Sequence, residues 1–149
     1  MDYLIRRASF ADASQIAQNN IAVAWESEGM KIHPETALAG VLSVLTDEQK
    51  GIYRVVEVNG KIVAQLMTNV EWSDWRNRPI WWIQSVYVVP EFRKNGYFRL
   101  LYEHVLAEAK VNQVVSVKLY ADKHNLPAIA VYRALGMSDA HYSLFEINI

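Results

Sequence analysis

The chain has 149 residues, a formal charge of -1 at pH 7, 52% hydrophobic and 21% charged residues, and no cysteine. That is the length of one domain, apolar enough to bury its own core, so disorder is excluded and a single domain over residues 1–149 is expected. Balanced charge argues against a nucleic-acid partner, and the lack of any apolar run near ~20 residues argues against a membrane span; the absent thiols remove disulfides, thiolate metal sites and a cysteinyl acyl-enzyme, and fit a reducing cytoplasm.

Tyr3 to Arg7 alternates into a first strand, with neither an apolar leader core nor a cleavage site. Asp12 opens a helix with Ala13, Ile16, Ala17, Ile21 and Ala24 near the 3.6 period, interrupted at Gly29. A second helix follows Pro34, with Leu38, Val41, Leu42 and Leu45 on one face. Gly51 to Val58 and Lys61 to Val70 are strands joined by Asn59-Gly60, the strongest two-residue hairpin signal. Glu71 to Pro79 reads as a loop or strand end, and Ile80 to Val89 as a central strand buried on both faces. Phe98, Leu101, Tyr102, Val105, Leu106 and Ala109 then define a long amphipathic helix. Val114 to Tyr120 is expected as a strand, Leu126 to Leu135 as a short helix stopped by Gly136, and Tyr142 to Ile147 as a last strand. The order gives an α/β fold with a mixed, mostly antiparallel sheet flanked by helices, parallel pairing spanning the long helical crossover.

The most informative segment runs from Val88 to Arg99, where a buried strand ends in a basic, glycine-containing turn and a long helix begins. A helix start offers free N–H groups and the positive end of the dipole. Arg93, Lys94 and Arg99 crowd cations at that same end, where the dipole alone disfavours them. A bound phosphate or pyrophosphate accounts for this; an ordinary helix start with solvated cations is the competing reading.

The segment resembles the acetyl-CoA signature of the GNAT acetyltransferase superfamily: Arg or Gln, two residues, Gly, one residue, Gly or Ala. Arg93, Gly96 and Phe98 stand on those positions after Val88-Val89-Pro90, with Phe98 departing from the small final residue. A second family motif recurs as Asn125, Ala128, Tyr132, Gly136 and Met137. The resemblance covers nearly the whole chain. It implies an acetyl-CoA-dependent N-acyltransferase in which the amine attacks directly. By the same resemblance, the backbone of Val86, Tyr87 and Val88 pairs with the pantetheine arm. Arg93 and the amides of Lys94, Asn95, Gly96, Tyr97, Phe98 and Arg99 hold the pyrophosphate, Asn125 touches the cofactor arm, and Tyr132 protonates the departing thiolate. A phenol is chemically suited to that last role.

The base is less well marked. Where some relatives carry a catalytic Glu, this chain has Gln84 and Tyr120. The remaining carboxylates are Glu26 and Glu28, expected in the loop after the first helix, and Glu71 and Asp74. Trp25, Trp72 and Trp75 lie beside these acids, and aromatic faces next to carboxylates suit a cationic amine. In the family both segments border the acceptor pocket, so the resemblance implies Glu28, Glu71, Trp72 and Asp74 as acceptor-binding residues, although a homodimer contact is an equally good use for the tryptophans. Trp81 and Trp82 are expected on opposite strand faces, one of them in the core. His33, His104, His124 and His141 lack metal-ligand spacing, so no metal is expected, and His104 is expected on the exposed face of its helix. The competing function is a non-catalytic acyl-CoA-binding module. A nucleotide-phosphate site is weaker, because no Gly-rich Lys-Ser/Thr loop is present.

Overall fold

A computed structural model describes residues 2–149. In chain order the elements are β1 (Leu4–Arg7), α1 (Ala13–Glu28), α2 (Pro34–Thr46), β2 (Ile52–Val58), β3 (Lys61–Ser73), β4 (Arg78–Val88), α3 (Tyr97–Val111), β5 (Val117–Lys118) and α4 (Leu126–Ala134). Single helical turns at Phe10–Asp12 and Pro90–Phe92 lead into α1 and towards α3. The sheet runs β1-β2-β3-β4-β5, antiparallel except for the parallel β4–β5 pair. This is the mixed, mostly antiparallel sheet that the element order implies.

Asn59 and Gly60 both take positive φ, 50° and 76°, as a two-residue turn between β2 and β3 requires. The sheet carries a helical layer on each face. On one, Leu101, Tyr102 and Val105 of α3 pack on Val56, Leu66, Trp81 and Ile83. On the other, Ala13, Ile16 and Ala17 of α1 and Val41 of α2 pack on Tyr53, Val55 and Met67. Arg54 is buried under α3. Its Nε donates to Glu108 at 2.6 Å, its Nη1 donates to Thr68 at 2.6 Å, and the guanidinium stacks over Trp81. A buried cation persists only with such partners, so this set fixes how α3 sits on the sheet.

Of the loop or strand end expected over Glu71 to Pro79, the strand end holds: β3 continues to Ser73 and β4 returns from Arg78, making a long hairpin with a short turn. Three other readings change. The strand expected over Val114 to Tyr120 is shorter than expected: Val117 and Lys118 pair with β4, the Val115 N–H donates to Pro79, and the Ser116 carbonyl accepts from Trp81. The strand expected over Tyr142 to Ile147 is absent: residues 138–149 carry no helix or strand, and Phe145 and Ile147 are 91% and 85% exposed. Alternating side chains favour a strand, but a strand also needs a neighbour to pair with. His104 is half-buried rather than exposed, facing Glu108 at 3.2 Å. The tryptophan pair behaves as expected, with Trp81 in the core and Trp82 on the opposite face.

Candidate active site

The site is organised by an irregularity in β4. Pairing with β3 slips between Gln65 and Met67, and opposite the slip Ser85 takes φ 53°. Along an unbroken strand, residues an even number apart direct their N–H groups to the same edge. Yet the Trp81 N–H donates towards β5, to Ser116 at 3.1 Å, whereas the Val89 N–H donates to Val63 on β3 at 2.9 Å. The bulge at Ser85 has swapped the edges. As a result Val86 and Val88 aim their backbone groups at the β5 side. There the β5 segment bonds to β4 between Pro79 and Trp82 and no further, so β4 beyond Trp82 has an open edge.

A buried amide network holds this bulge, and sequence reading missed it. Gln65, fully buried on β3, donates from Nε2 to the Ser85 carbonyl at 3.2 Å and to Asn20 at 2.9 Å. Asn19 on α1 donates to Gln65 Oε1 at 2.9 Å. The available signal was Gln65 itself, a lone amide inside an apolar strand, since a buried amide must find partners.

At the other end of the open edge lies the helix start. Lys94 (φ 64°) and Gly96 (φ 80°) both adopt left-handed backbone, so the chain curls before α3. Asn95 Nδ2 ties the curl to the carbonyls of Phe92 and Arg93, at 3.1 Å each. None of the backbone amides from Lys94 to Arg99 donates to an acceptor among the described residues, and the first internal bond there is from Leu100 to Gly96. Consecutive free amides at a positive helix end form an anion cradle.

The Arg93 side chain is engaged elsewhere. Its Nε donates to the Val88 carbonyl at 2.9 Å, its Nη2 pairs with Glu26 at 2.8 Å, and it lies over the Tyr87 ring. Glu26 also accepts from the Tyr87 hydroxyl at 3.2 Å. Burial, with Glu26 second, raises the Tyr87 phenol above its usual range. Arg93 thus fastens the curl to the end of β4 and to α1. Glu26 and Glu28 lie in the last turn of α1, not in the following loop, because the helix runs on to Gly29.

Phe98, the departure from the small-residue signature, packs edge-on against Tyr132 with ring centroids 5.8 Å apart. This contact sets α4 beside the first turn of α3. Tyr132 is half-buried, and burial raises its phenol above the usual range. Asn125 caps α4, its Oδ1 accepting from the Ala128 N–H at 3.4 Å, which leaves its NH2 free to donate outward.

The acidic and aromatic residues divide into two groups. Asp74 and Trp75 occupy the tip of the β3–β4 hairpin, with Trp75 90% exposed. At ~3.3 Å per residue the tip stands about 23 Å along β4 from Ser85, and Glu28 is at the opposite end of the strand beside Glu26. The structure therefore does not bring Glu28 and Asp74 together. Trp72 is 58% exposed near the tip. Glu71, in contrast, accepts from the Trp82 indole at 3.3 Å, and Trp82 meets the Tyr120 ring at 5.8 Å. Gln84 donates to Asn69 at 3.0 Å. Cross-strand register puts Glu71, Asn69, Trp82 and Gln84 on the sheet face of α1 and α2, an aromatic-polar surface leading towards Ser85. No group of three or more metal-ligating side chains occurs among the described residues, and no helix among them is long and apolar enough to cross a membrane.

The fold is close to that of a possible acetyltransferase from Clostridium difficile 630, 38% identical, with TM-score 0.93 over 99% of this chain and 97% of that one. A predicted acetyltransferase from Clostridium acetobutylicum, solved with acetyl-CoA, superposes with TM-score 0.78 over 99% and 96% of the two chains at 21% identity. The ribosomal protein bS18-alanine N-acetyltransferase of Salmonella typhimurium is 36% identical over 56 residues, so the match spans 38% of that relative and 38% of this chain. The family model for the acetyltransferase (GNAT) family matches residues 13–137, a span that runs from the first turn of α1 through the bulged β4, the amide cradle and Tyr132. The chain belongs to the GNAT acetyltransferase family.

Proposed function

We propose that this chain transfers an acetyl group from acetyl-coenzyme A to an amine, the amine attacking directly. The observation that carries the reading is the pairing of two features along one line: the run of free amides from Lys94 to Arg99, and the open edge of β4 at Val86 and Val88. The cradle fits a pyrophosphate, and the edge fits an extended, amide-bearing arm. Acetyl-coenzyme A supplies the activated thioester. The Val86 N–H, beside the bulge, polarises the acyl carbonyl. Tyr132, kept protonated by burial, donates to the leaving sulfur. Asn125 offers its free amide to the arm. Arg93 keeps the curl in place, and the amides carry the phosphate load. The acceptor approaches over Trp82 and Glu71. An ammonium must lose its proton before attack, and Glu71 is the carboxylate already oriented on that face, by the Trp82 indole. No membrane or nucleic acid is needed, and the site of action is the cytoplasm.

A second reading, binding of acyl-CoA without turnover, draws on one observation. Gln84 and Tyr120 stand where some members of the family carry a Glu, and both are occupied, with Asn69 and Trp82. One experiment separates the two readings: release of free thiol from acetyl-CoA across a library of amines, including polyamines, aminoglycosides and peptide N-termini. Thiol release dependent on one amine class establishes transfer. Calorimetric binding of acetyl-CoA without release by any amine establishes the binding module.

A further inference from the structure

Among the described residues, Lys118 is the one half-buried lysine or arginine without an acidic partner. Arg6 pairs with Asp12 and Glu57, Arg54 pairs with Glu108, and the other lysines and arginines are exposed. β5 sends Val117 into the core under α3 and Lys118 to the opposite face, beside Trp82. There Nζ lies 5.8 Å from the centre of the Trp82 ring and 5.5 Å from that of Tyr142. Tyr120, two residues on, meets Trp82 at 5.8 Å. Aromatic faces orient a cation but carry no net charge, so Lys118 keeps a whole positive charge without a counter-ion.

The same indole is flanked from the other side. Glu71 on β3 accepts from Trp82 Nε1 at 3.3 Å, so an acid and a cation meet one ring from the two strands that border β4. The two do not pair with each other: Glu71 accepts from the indole, and Lys118 lies over rings. This face therefore presents one negative and one positive charge held apart, with the neutral amides of Asn69 and Gln84 between Trp82 and the bulge. A molecule that matches it carries both charges as well. A polycation would set further positive charge against Lys118, and like charges on a partly dry surface repel more than in water. Trp82 precedes Ser85 by three residues, about 10 Å of strand, so an anion held at Lys118 leaves a small molecule room to run towards the bulge.

Resting on the transfer reading above, we propose that the acceptor is an amine that also bears a carboxylate, an amino acid or a short peptide with a free C-terminus. Lys118 selects it by pairing with that carboxylate, and the amine points towards Glu71 and the bulge. The transfer step is the one already described: the amine nitrogen bonds to the acetyl carbon as the C–S bond breaks, and the acceptor's carboxylate takes no part. Polyamines and aminoglycosides, which lack the carboxylate, are turned away at the same residue.

The test follows thiol release from acetyl-CoA with alanine, dialanine and trialanine, each as the free acid and as the C-terminal amide, beside spermidine and an aminoglycoside. A nearby carboxylate makes an ammonium hold its proton more tightly, so a preference for the free acid runs against intrinsic reactivity. The best free acid should exceed its amide at least tenfold in kcat/KM, mostly through KM. Lys118→Gln should bring the acid-to-amide ratio near one, Lys118→Glu should invert it, and Lys118→Arg should keep it. Acetyl-CoA affinity should be the same in all three variants, which a general loss of structure would not allow. Amides or polyamines used as well as the acids overturn the assignment and leave transfer standing, as does an acid preference that survives Lys118→Gln. Binding of acetyl-CoA with no thiol released by any amine overturns both.

Discussion

Gln65 Nε2 lies 3.2 Å from the Ser85 carbonyl and donates to it across the one irregular step in the β3–β4 ladder. Ser85 has no side-chain reason for a left-handed backbone, and holding a non-glycine residue there costs about 1–2 kcal/mol. The Gln65 amide offsets that cost from inside the core. Gln65→Leu should therefore release the bulge and leave the Asn19 and Asn20 amides short of partners. We expect unfolding free energy in urea to fall by about 1–3 kcal/mol. We also expect kcat to fall by about tenfold or more, while the acetyl-CoA dissociation constant moves little, because the amide cradle lies beyond the bulge. A variant with lower stability and unchanged kcat would show that the bulge does not need this hydrogen bond for transfer.

At Gly96 the constraint is conformational. A Cβ there meets nothing within 4 Å, but φ is 80°. Gly96→Glu should fold, at a cost of about 1–2 kcal/mol, and should place a negative charge in the cradle. Coenzyme A affinity should drop by about 100-fold, equivalent to ~2.7 kcal/mol. Calorimetry on the folded variant showing unaltered affinity would place the pyrophosphate elsewhere.

Tyr132→Phe keeps the ring against Phe98 and removes only the hydroxyl. If that hydroxyl protonates the thiolate, kcat should fall by roughly 10²–10⁴ with acetyl-CoA binding intact. Burial raises the phenol above its ordinary 10.0, so it stays protonated through the neutral range. In the wild-type kcat profile, the midpoint of any alkaline loss due to this group should lie above the ordinary 10.0 of a phenol. A loss near pH 8 that persists in Tyr132→Phe would assign that limb to another group.

Much of this site is written in local sequence. The α3 stripe, the Asn59-Gly60 turn and both motifs are short-range signals, and each landed where periodicity or turn chemistry put it. What was not legible depends on neighbours far along the chain. Ser85 sits in an apolar run with nothing to mark a bulge, since its cause is Gln65 on another strand. Glu26 was separated from Arg93 because their pairing requires α1 to end beside β4. The family resemblance and the tryptophans beside each acid group Asp74 with Glu28, and the length of the β3–β4 hairpin keeps them apart. The alternation of Tyr142 to Ile147 favours a strand, and alternation records what a segment can pair with and not whether a strand lies beside it.

Outside the site, Asp12 provides a pH-dependent contribution to stability. Arg6 donates to its carboxylate at 2.7 and 3.0 Å, and the Ser9 N–H donates at 2.7 Å. The Arg6 hydrogen bond, ahead of the opposing burial, lowers the carboxyl below its ordinary 3.8. A depressed carboxylate contributes stability above its unfolded pKa and loses it as pH falls through the folded value. Asp12→Asn should thus be less stable than wild type at pH 7 by about 1.5–3 kcal/mol, the range for charge-assisted bonds. The difference should shrink once pH drops below about 4. Urea titrations at pH 7 and pH 3 giving the same difference would assign the contribution to packing.

The acceptor face yields the sharpest contrast between two carboxylates that composition treats alike. Glu71 is oriented by the Trp82 indole on the sheet face that leads to Ser85, whereas Asp74 stands free at the hairpin tip. A cationic amine held by Glu71 would gain a charge-assisted bond of about 1.5–3 kcal/mol. Glu71→Gln should raise the acceptor KM by about tenfold or more, at ~1.4 kcal/mol per decade, and leave the acetyl-CoA KM in place. If Glu71 also takes the proton, kcat should fall too, and the acidic limb of its pH profile should vanish. Asp74→Asn should change neither parameter, because about 23 Å of strand separates it from the bulge. Should Asp74→Asn raise the acceptor KM while Glu71→Gln does not, the amine must bind along the hairpin arm, and the surface around Trp82 would serve some other contact.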